Sequence, residues 1–242
     1  MNKFLLTRVC CLVPILFGLN LRAQPACNAD QPIPSFTIRH VSGDPDLNLD
    51  PDSAEWKAAA SQSMSKDCRR QIDYPNIDTT IRAFWTDADL YILFRCPYSV
   101  LNVFPADNTQ RHVGLWNRDA VEMFIGDDWT NIRHYREFEV APTGDWINLA
   151  IDLDRKSYDY NWKSGWQKMA RVDEGSKIWY AAAKIPLSDV SANPVRDGMK
   201  WRINFYRIDG LGPDTQRHFL CWSRTCGSNH VPERFGTLFF SK

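Results

Sequence analysis

Apolar and polar residues alternate with a period of two over most of the chain, the spacing of strands that bury one face. Within 79–86, Ile81, Ala83 and Trp85 share one side; the turn-like Thr86-Asp87-Ala88-Asp89 follows, and Leu90, Ile92 and Phe94 alternate again, which predicts a hairpin. Further strands are expected at 36–41, 120–126, 135–141, 146–152, 166–172, 178–185, 201–208, 218–222 and 235–240, several of them separated by turn signals such as Pro142-Thr143-Gly144. Helix is scarce. The alanine-rich stretch 53–60, with Ser53 as N-cap, is one candidate, and 186–190, with proline near its first position, is a single turn. Roughly ten strands without β-α-β alternation predict an all-β fold: an antiparallel β-sandwich of jelly-roll or immunoglobulin-like type with one or two short helices.

The start of the chain departs from this pattern. Lys3 and Arg8 precede an apolar run from Val9 to Leu19, and Leu21-Arg22-Ala23 offers a small residue before Gln24, the order of a secretory signal peptide over 1–23. The run is too short to span a bilayer. Its removal leaves one domain over 24–242, with no membrane span and a secreted or periplasmic location. Cleavage also removes Lys3, Arg8 and Arg22, so that 26 of the 29 basic residues remain against 29 acidic ones. A slightly acidic surface does not point to nucleic acid or anionic lipid.

Seven cysteines change the picture further. Cys10 and Cys11 leave with the signal; Cys27, Cys68, Cys96, Cys221 and Cys226 remain. In an oxidising compartment disulfides are expected, with one thiol left over. Cys221 and Cys226 are close enough to bridge across a loop, and Cys27 with Cys68 is a second pairing. Gln24 stands where a lipoprotein acylation site at Cys27 wants an aliphatic residue, which argues against acylation. Metal-site spacings such as Cys-x-x-Cys and His-Glu-x-x-His are missing from the sequence.

The stretch 115–126 carries polar residues where a buried strand wants apolar ones. Val121, Met123 and Ile125 form one face and Ala120, Glu122 and Phe124 the other, so a carboxylate shares a face with a phenyl ring. Trp116 and Asp119 lie just ahead. An indole and two carboxylates at a strand mouth suit a hydroxyl-rich ring: the indole stacks on the apolar sugar face and the carboxylates accept from hydroxyls. Each residue also has a structural alternative. Trp116 is either core or ligand-facing, Asp119 a strand-entry turn former, and Glu122 either faces ligand or is buried with Arg202 or Arg207 as partner. Trp85, Trp179 and Trp201 sit in alternating strands and are expected in the core. Asn204, alternating with Arg202 and Tyr206, suits hydroxyl binding or a solvated sheet face.

An ordered series of segments resembles the family 9 carbohydrate-binding modules and their wider DOMON-like relatives. It runs through Ala54-Glu55-Trp56, Arg82-Ala83-Phe84-Trp85-Thr86-Asp87 with Leu90-Tyr91-Ile92, the 115–125 segment, Tyr135-Arg136-Glu137-Phe138-Glu139-Val140, Trp201-Arg202-Ile203-Asn204-Phe205 and Pro232-Glu233-Arg234-Phe235-Gly236. The resemblance implies a β-sandwich that binds gluco- or xylo-configured oligo- or polysaccharide ends without turning them over, in carbohydrate catabolism and beside a separate glycoside hydrolase. It implies no required cofactor, although some relatives hold structural calcium. Sugar-binding modules of this family place one tryptophan shortly before an Asp-x-Val-Glu strand and a second before the final Phe-Gly strand. The first matches Trp116, the acidic pair matches Asp119 and Glu122, and the penultimate-strand asparagine matches Asn204. The second tryptophan is replaced by Asn229, with His230 beside it, and Glu139 stands where such modules have an arginine.

Two rival classes fit the residues less well. A glycosidase needs two carboxyl groups flanking one bond, yet Asp119 and Glu122 in one strand point to opposite faces, and Glu137 and Glu139 read as one solvated edge. A haem-binding DOMON-like electron-transfer module would need a histidine partner for Met123, and none of the histidines is marked as one.

Overall fold

Two stacked sheets enclose a layer of aromatic and aliphatic side chains in the computed structural model, which describes residues 31–70, 72–105 and 109–242. The expected signal peptide 1–23 and Cys27 lie outside these residues. The larger sheet comprises β1 (Ser35–Arg39), β5 (Ala120–Gly126), β6 (His134–Val140), β7 (Trp146–Asp152), β8 (Ser157–Asp159), β11 (Lys200–Asp209), β12 (His218–Cys221) and β13 (Gly236–Ser241). Its strands run in the order β1-β13-β11-β5-β6-β7-β8, with β12 also paired to β11. The smaller sheet, ordered β2-β3-β4-β10-β9, contains β2 (Ala60–Met64), β3 (Thr79–Trp85), β4 (Asp89–Pro97), β9 (Gln167–Asp173) and β10 (Ile178–Pro186). The all-β sandwich expected from the alternation is the fold observed.

One pairing departs from the antiparallel expectation. β1 and β13 are parallel, with Phe36 beside Leu238 and Ile38 beside Phe240. The chain can do this because the paired strands are the first and last of the described ones, so no tight turn has to join them. The two helices are short. Helix α1 (Ala54–Ala58) starts at Ser53, whose hydroxyl accepts from the Trp56 N–H at 3.4 Å, and α2 (Leu187–Val190) is a single turn after Pro186.

Alternation sorts each strand of the large sheet into two faces. Val121, Met123, Ile125, Phe138 and Val140 point inward and meet Ile81, Ile92, Phe94, Trp85 and Trp179 of the small sheet. Trp85, Trp179 and Trp201 are fully buried there, as the strand pattern predicts. Met123 belongs to this apolar layer, away from the face that carries the polar cluster. Ala120, Phe124, Tyr135, Leu149, Ile151 and Tyr206 point outward and form a second apolar cluster with Phe235, Cys68 and Cys221. Cys68 and the 223–235 segment, through Phe235, pack onto this outer face, so it is roofed rather than solvated.

The cysteine pairings differ from the sequence expectation. Cys68 is bonded to Cys221, across a sequence separation of 153, which corrects both the Cys221–Cys226 and the Cys27–Cys68 pairings. Cys226 is also disulfide-bonded, and Cys96 is a buried free thiol. Local spacing misleads because Cys221 ends β12, which lies beside the 66–68 segment: the Cys221 N–H donates to the Lys66 carbonyl and the Cys68 N–H to the Phe219 carbonyl. No helix among the described residues is long and apolar enough to cross a membrane.

Candidate functional site

The outer face of the large sheet opens into a cavity of about 380 Å³ lined by residues far apart in the chain, from Arg69 to His230. Its floor comes from β5 and β6, where the period of two places Glu122 and Phe124 on the same face as Glu137 and Glu139. Glu122 stands directly opposite Glu139 across the strand pair, and Phe124 opposite Glu137. Aromatic rings surround the acidic floor. Trp116, half-buried in the turn before β5, lies 6.4 Å from Tyr160 between ring centroids, and Tyr158 meets His230 edge-on at 5.2 Å. His230 in turn stacks on Phe124 at 5.1 Å.

Of the residues singled out from the sequence, Trp116, Glu122, Asn229 and His230 are brought together around this cavity. Asn229 donates from Nδ2 to Glu122 Oε2 at 2.9 Å, which corrects the expectation that Arg202 or Arg207 would pair with Glu122. Arg207 points to the opposite face of β11 and pairs with Asp209 at 2.6 Å, while the Arg202 guanidinium lies 5.1 Å from the Trp129 ring.

Asp119 and Asn204 are not among the cavity-lining residues. The Asp119 carboxylate accepts from the backbone N–H groups of Asn102 and Gly210, both at 2.9 Å, and so ties the entry of β5 to two loops. Burial pushes its carboxyl up to about 7, against the lowering effect of those two donors. Asn204 is fully buried beneath the 222–235 segment. Its Nδ2 donates to the Ser223 carbonyl at 2.9 Å and to the Tyr206 hydroxyl at 2.8 Å, and its Oδ1 accepts from the Ser223 N–H. The Tyr206 hydroxyl then donates to the Asn229 carbonyl at 2.7 Å. Asn204 thus acts through Tyr206 to position Asn229.

The sequence reading of Glu137 and Glu139 as a solvated edge is overturned. Both are buried, at 3% and 0% exposure, because β6 lies inside the sheet between β5 and β7 and is roofed by the aromatic cluster. Among the described residues, no donor N–H or hydroxyl reaches Glu137 Oε2 or either oxygen of Glu139. Contact between the two carboxyls becomes a hydrogen bond only when one carries a proton. Burial raises all three carboxyl pKa values, and the neighbouring negative charges raise those of Glu122 and Glu139 further. His230 is pushed the other way, to about 4, by burial, and Tyr135 Oη lies 2.7 Å from its Nδ1. A neutral imidazole therefore faces the cavity near pH 7.

Tyr158, Tyr160, Glu137 and Arg69 also line the cavity and were not singled out for it from the sequence. Tyr158 is the middle residue of a three-residue strand, β8, whose residues are all exposed, and Tyr160 follows its end, so no apolar alternation marks either. The tyrosine spacing Tyr158-x-Tyr160 is the one signal that could have drawn attention to them.

The structural calcium that the resemblance allows has one place to be tested: among the described residues one group, His134, Asp152 and Asp154, brings donor atoms within 4.8 Å of one another. It does not fit that ion, which takes six to eight oxygens. The His134 Nε2 lies 3.0 Å from Asp152, and the guanidiniums of Arg155 and Arg133 pair with Asp152 and Asp154. This is a surface ion-pair network.

Residues 50–242 match the model of a family described as carbohydrate family 9 binding domain-like. No curated protein matches the chain. Among solved structures, a candidate carbohydrate-binding protein from Bacteroides uniformis aligns with a TM-score of 0.67 at 20% identity, covering 86% of this chain and 99% of the other. A family 9 module from Caldicellulosiruptor kristjanssonii in complex with cellotriose aligns with a TM-score of 0.62 at 14% identity, over 86% of this chain and 93% of that one. A family 9 module from the same organism in complex with glucose gives 0.59 at 15% identity, over 85% and 95%. At these identities the likeness speaks for the fold.

Proposed function

Because the chain belongs to the carbohydrate family 9 binding domain-like family, we propose that it is an exported, non-catalytic protein that binds the ends of gluco- or xylo-configured oligo- and polysaccharides in the cavity on its outer sheet face. The observation that carries this reading is the co-location of Trp116, Tyr158, Tyr160 and His230 rings with buried carboxylates and an amide around one open cavity. Aromatic faces stack on the C–H face of a pyranose, and the polar groups fix its hydroxyls. Glu122, already held by Asn229, accepts from sugar hydroxyls when ionised and donates as well when protonated.

Export rests on the N-terminal charge and hydropathy order: residues 1–23 act as a signal peptide, and 24–242 form one domain. N-terminal sequencing of exported protein that begins at Met1 would overturn the first part. A role in carbohydrate catabolism, with a separate glycoside hydrolase acting on the same polymer, is part of this reading, and the family membership supports it. Calorimetric titration with cello- and xylo-oligosaccharides tests the binding itself. Saturable binding at micromolar to millimolar concentration is expected; the absence of heat and of chemical-shift change with every such sugar at millimolar concentration rejects it.

A further inference from the structure

The acidic floor of the cavity holds three carboxyl groups and, among the described residues, fewer donors than these can accept. Glu122, Glu137 and Glu139 share one sheet face, with Glu122 directly opposite Glu139, an arrangement that is destabilising for like charges. Each is at least 97% buried, since their exposures are 2%, 3% and 0%. Among the described residues, one neutral amide, that of Asn229, donates to Glu122, and apart from their contact with each other Glu137 Oε2 and both Glu139 oxygens have no donor. A buried carboxyl without a partner is costly, and Glu137 is one of the residues that line the cavity.

Among the described residues, Arg69 and Arg217 favour the ionised form of Glu122 through space, but neither donates to the unpaired oxygens. Arg69 is exposed, with its guanidinium stacked 3.9 Å over the Phe219 ring. Arg217 is engaged by Asp214 and by the carbonyls of Trp116 and Arg118. His230 is neutral in its apolar surroundings. A neutral sugar would supply hydroxyl donors but no charge. An ammonium supplies three donors and a positive charge on one small atom, and charge-assisted hydrogen bonds are about twice as strong as neutral ones.

Resting on the carbohydrate-binding reading above, we propose that the preferred ligand is an amino sugar, a gluco-configured unit in which an ammonium replaces one hydroxyl and is seated against Glu122 and Glu137 with Glu139 behind them. The aromatic rings hold the pyranose, and the acidic floor selects the charge. Acetylation of the nitrogen removes that charge and adds bulk, so the N-acetylated sugar is discriminated against.

The test is calorimetric titration of the full exported protein with fully deacetylated chitotriose, its N-acetylated form and cellotriose, at one pH and near-physiological salt. The deacetylated trimer is expected to bind at least about tenfold more tightly than either neutral trimer, the equivalent of about 1.4 kcal/mol. In Glu137→Gln and in Glu139→Gln that ratio should fall toward unity, with correctly folded variants verified by their near-UV circular dichroism. Equal or weaker binding of the deacetylated trimer overturns the amino-sugar preference while leaving sugar binding standing. A preference that survives undiminished in both variants marks diffuse surface attraction and overturns it too. If no trimer binds, both readings fall.

Discussion

Asn229 and Glu122, 107 positions apart in the chain, meet in a 2.9 Å hydrogen bond that ties the last long loop to the floor of the cavity. The bond gives a buried carboxyl its protein donor, and the Tyr206 hydroxyl holds the Asn229 carbonyl from the other side. Truncation of Asn229 would leave Glu122 without that donor. Asn229→Ala is therefore expected to lower stability by about 1–3 kcal/mol, the cost of an unsatisfied buried polar group, as read from chemical denaturation. Asn229→Trp, which would rebuild a second stacking wall on the family pattern, loses the same bond and should melt at a lower temperature as well.

Trp116 is half-buried, packs near Tyr160 and lines the cavity. Removing such a ring should cost more in binding than in folding. Trp116→Ala is expected to weaken oligosaccharide affinity by about 2 kcal/mol, roughly thirtyfold, with a smaller loss of folding stability. Parallel titration and melting curves separate the two; a protein that unfolds far more easily would identify the indole as core.

The acidic cluster predicts an unusual pH dependence of stability. Burial pushes the Glu122 carboxyl up to about 8, and raises those of Glu137 and Glu139 as well. A carboxyl whose folded pKa lies above its unfolded value holds its proton more tightly when folded. Its stabilising contribution is complete below the unfolded pKa and is lost as pH rises through the folded one. His230, lowered to about 4 by burial, acts oppositely, costing stability as pH falls below its unfolded value near 6.5. The window between about pH 6.5 and 8 therefore isolates the carboxyls: the melting temperature should fall across it, and less steeply in Glu139→Gln. A wild-type melting temperature that is flat or rises over this range would contradict the assignment.

The Cys68–Cys221 disulfide joins the 65–74 segment, which carries Arg69 to the cavity rim, to β12. Cys68→Ser is expected to reduce stability by about 2–4 kcal/mol, as the loss of a disulfide closing a long loop does. Denaturant unfolding of the variant, compared with wild type under non-reducing conditions, provides the check.

Gly236 begins β13 beneath an indole. A Cβ built at this position would lie 2.1 Å from a ring carbon of Trp222, itself held by a hydrogen bond from Nε1 to Gln62. Gly236→Ala must displace that ring from the core, and overpacking of this kind costs about 1–3 kcal/mol. A lowered melting temperature with altered tryptophan fluorescence is expected.

Alternation along the chain was enough to locate most of the strands, to place Trp85, Trp179 and Trp201 in the core and to find the Ser53 cap, because these depend on local period and local hydrogen bonding. The ordered segments also carried the resemblance that drew Trp116, Glu122, Asn229 and His230 together. Period two says which residues share a face, but not what lies over that face. Glu137 and Glu139 were legible as neighbours on one side of β6; their burial was decided by β5 and β7 on either flank and by the 222–235 loop above. The same limit hid Tyr158 and Tyr160, which reach the cavity from within and just after a three-residue strand with no apolar pattern. It also hid the Cys68–Cys221 bond and the parallel pairing of β1 with β13, since both join segments that only the closed sheet brings side by side.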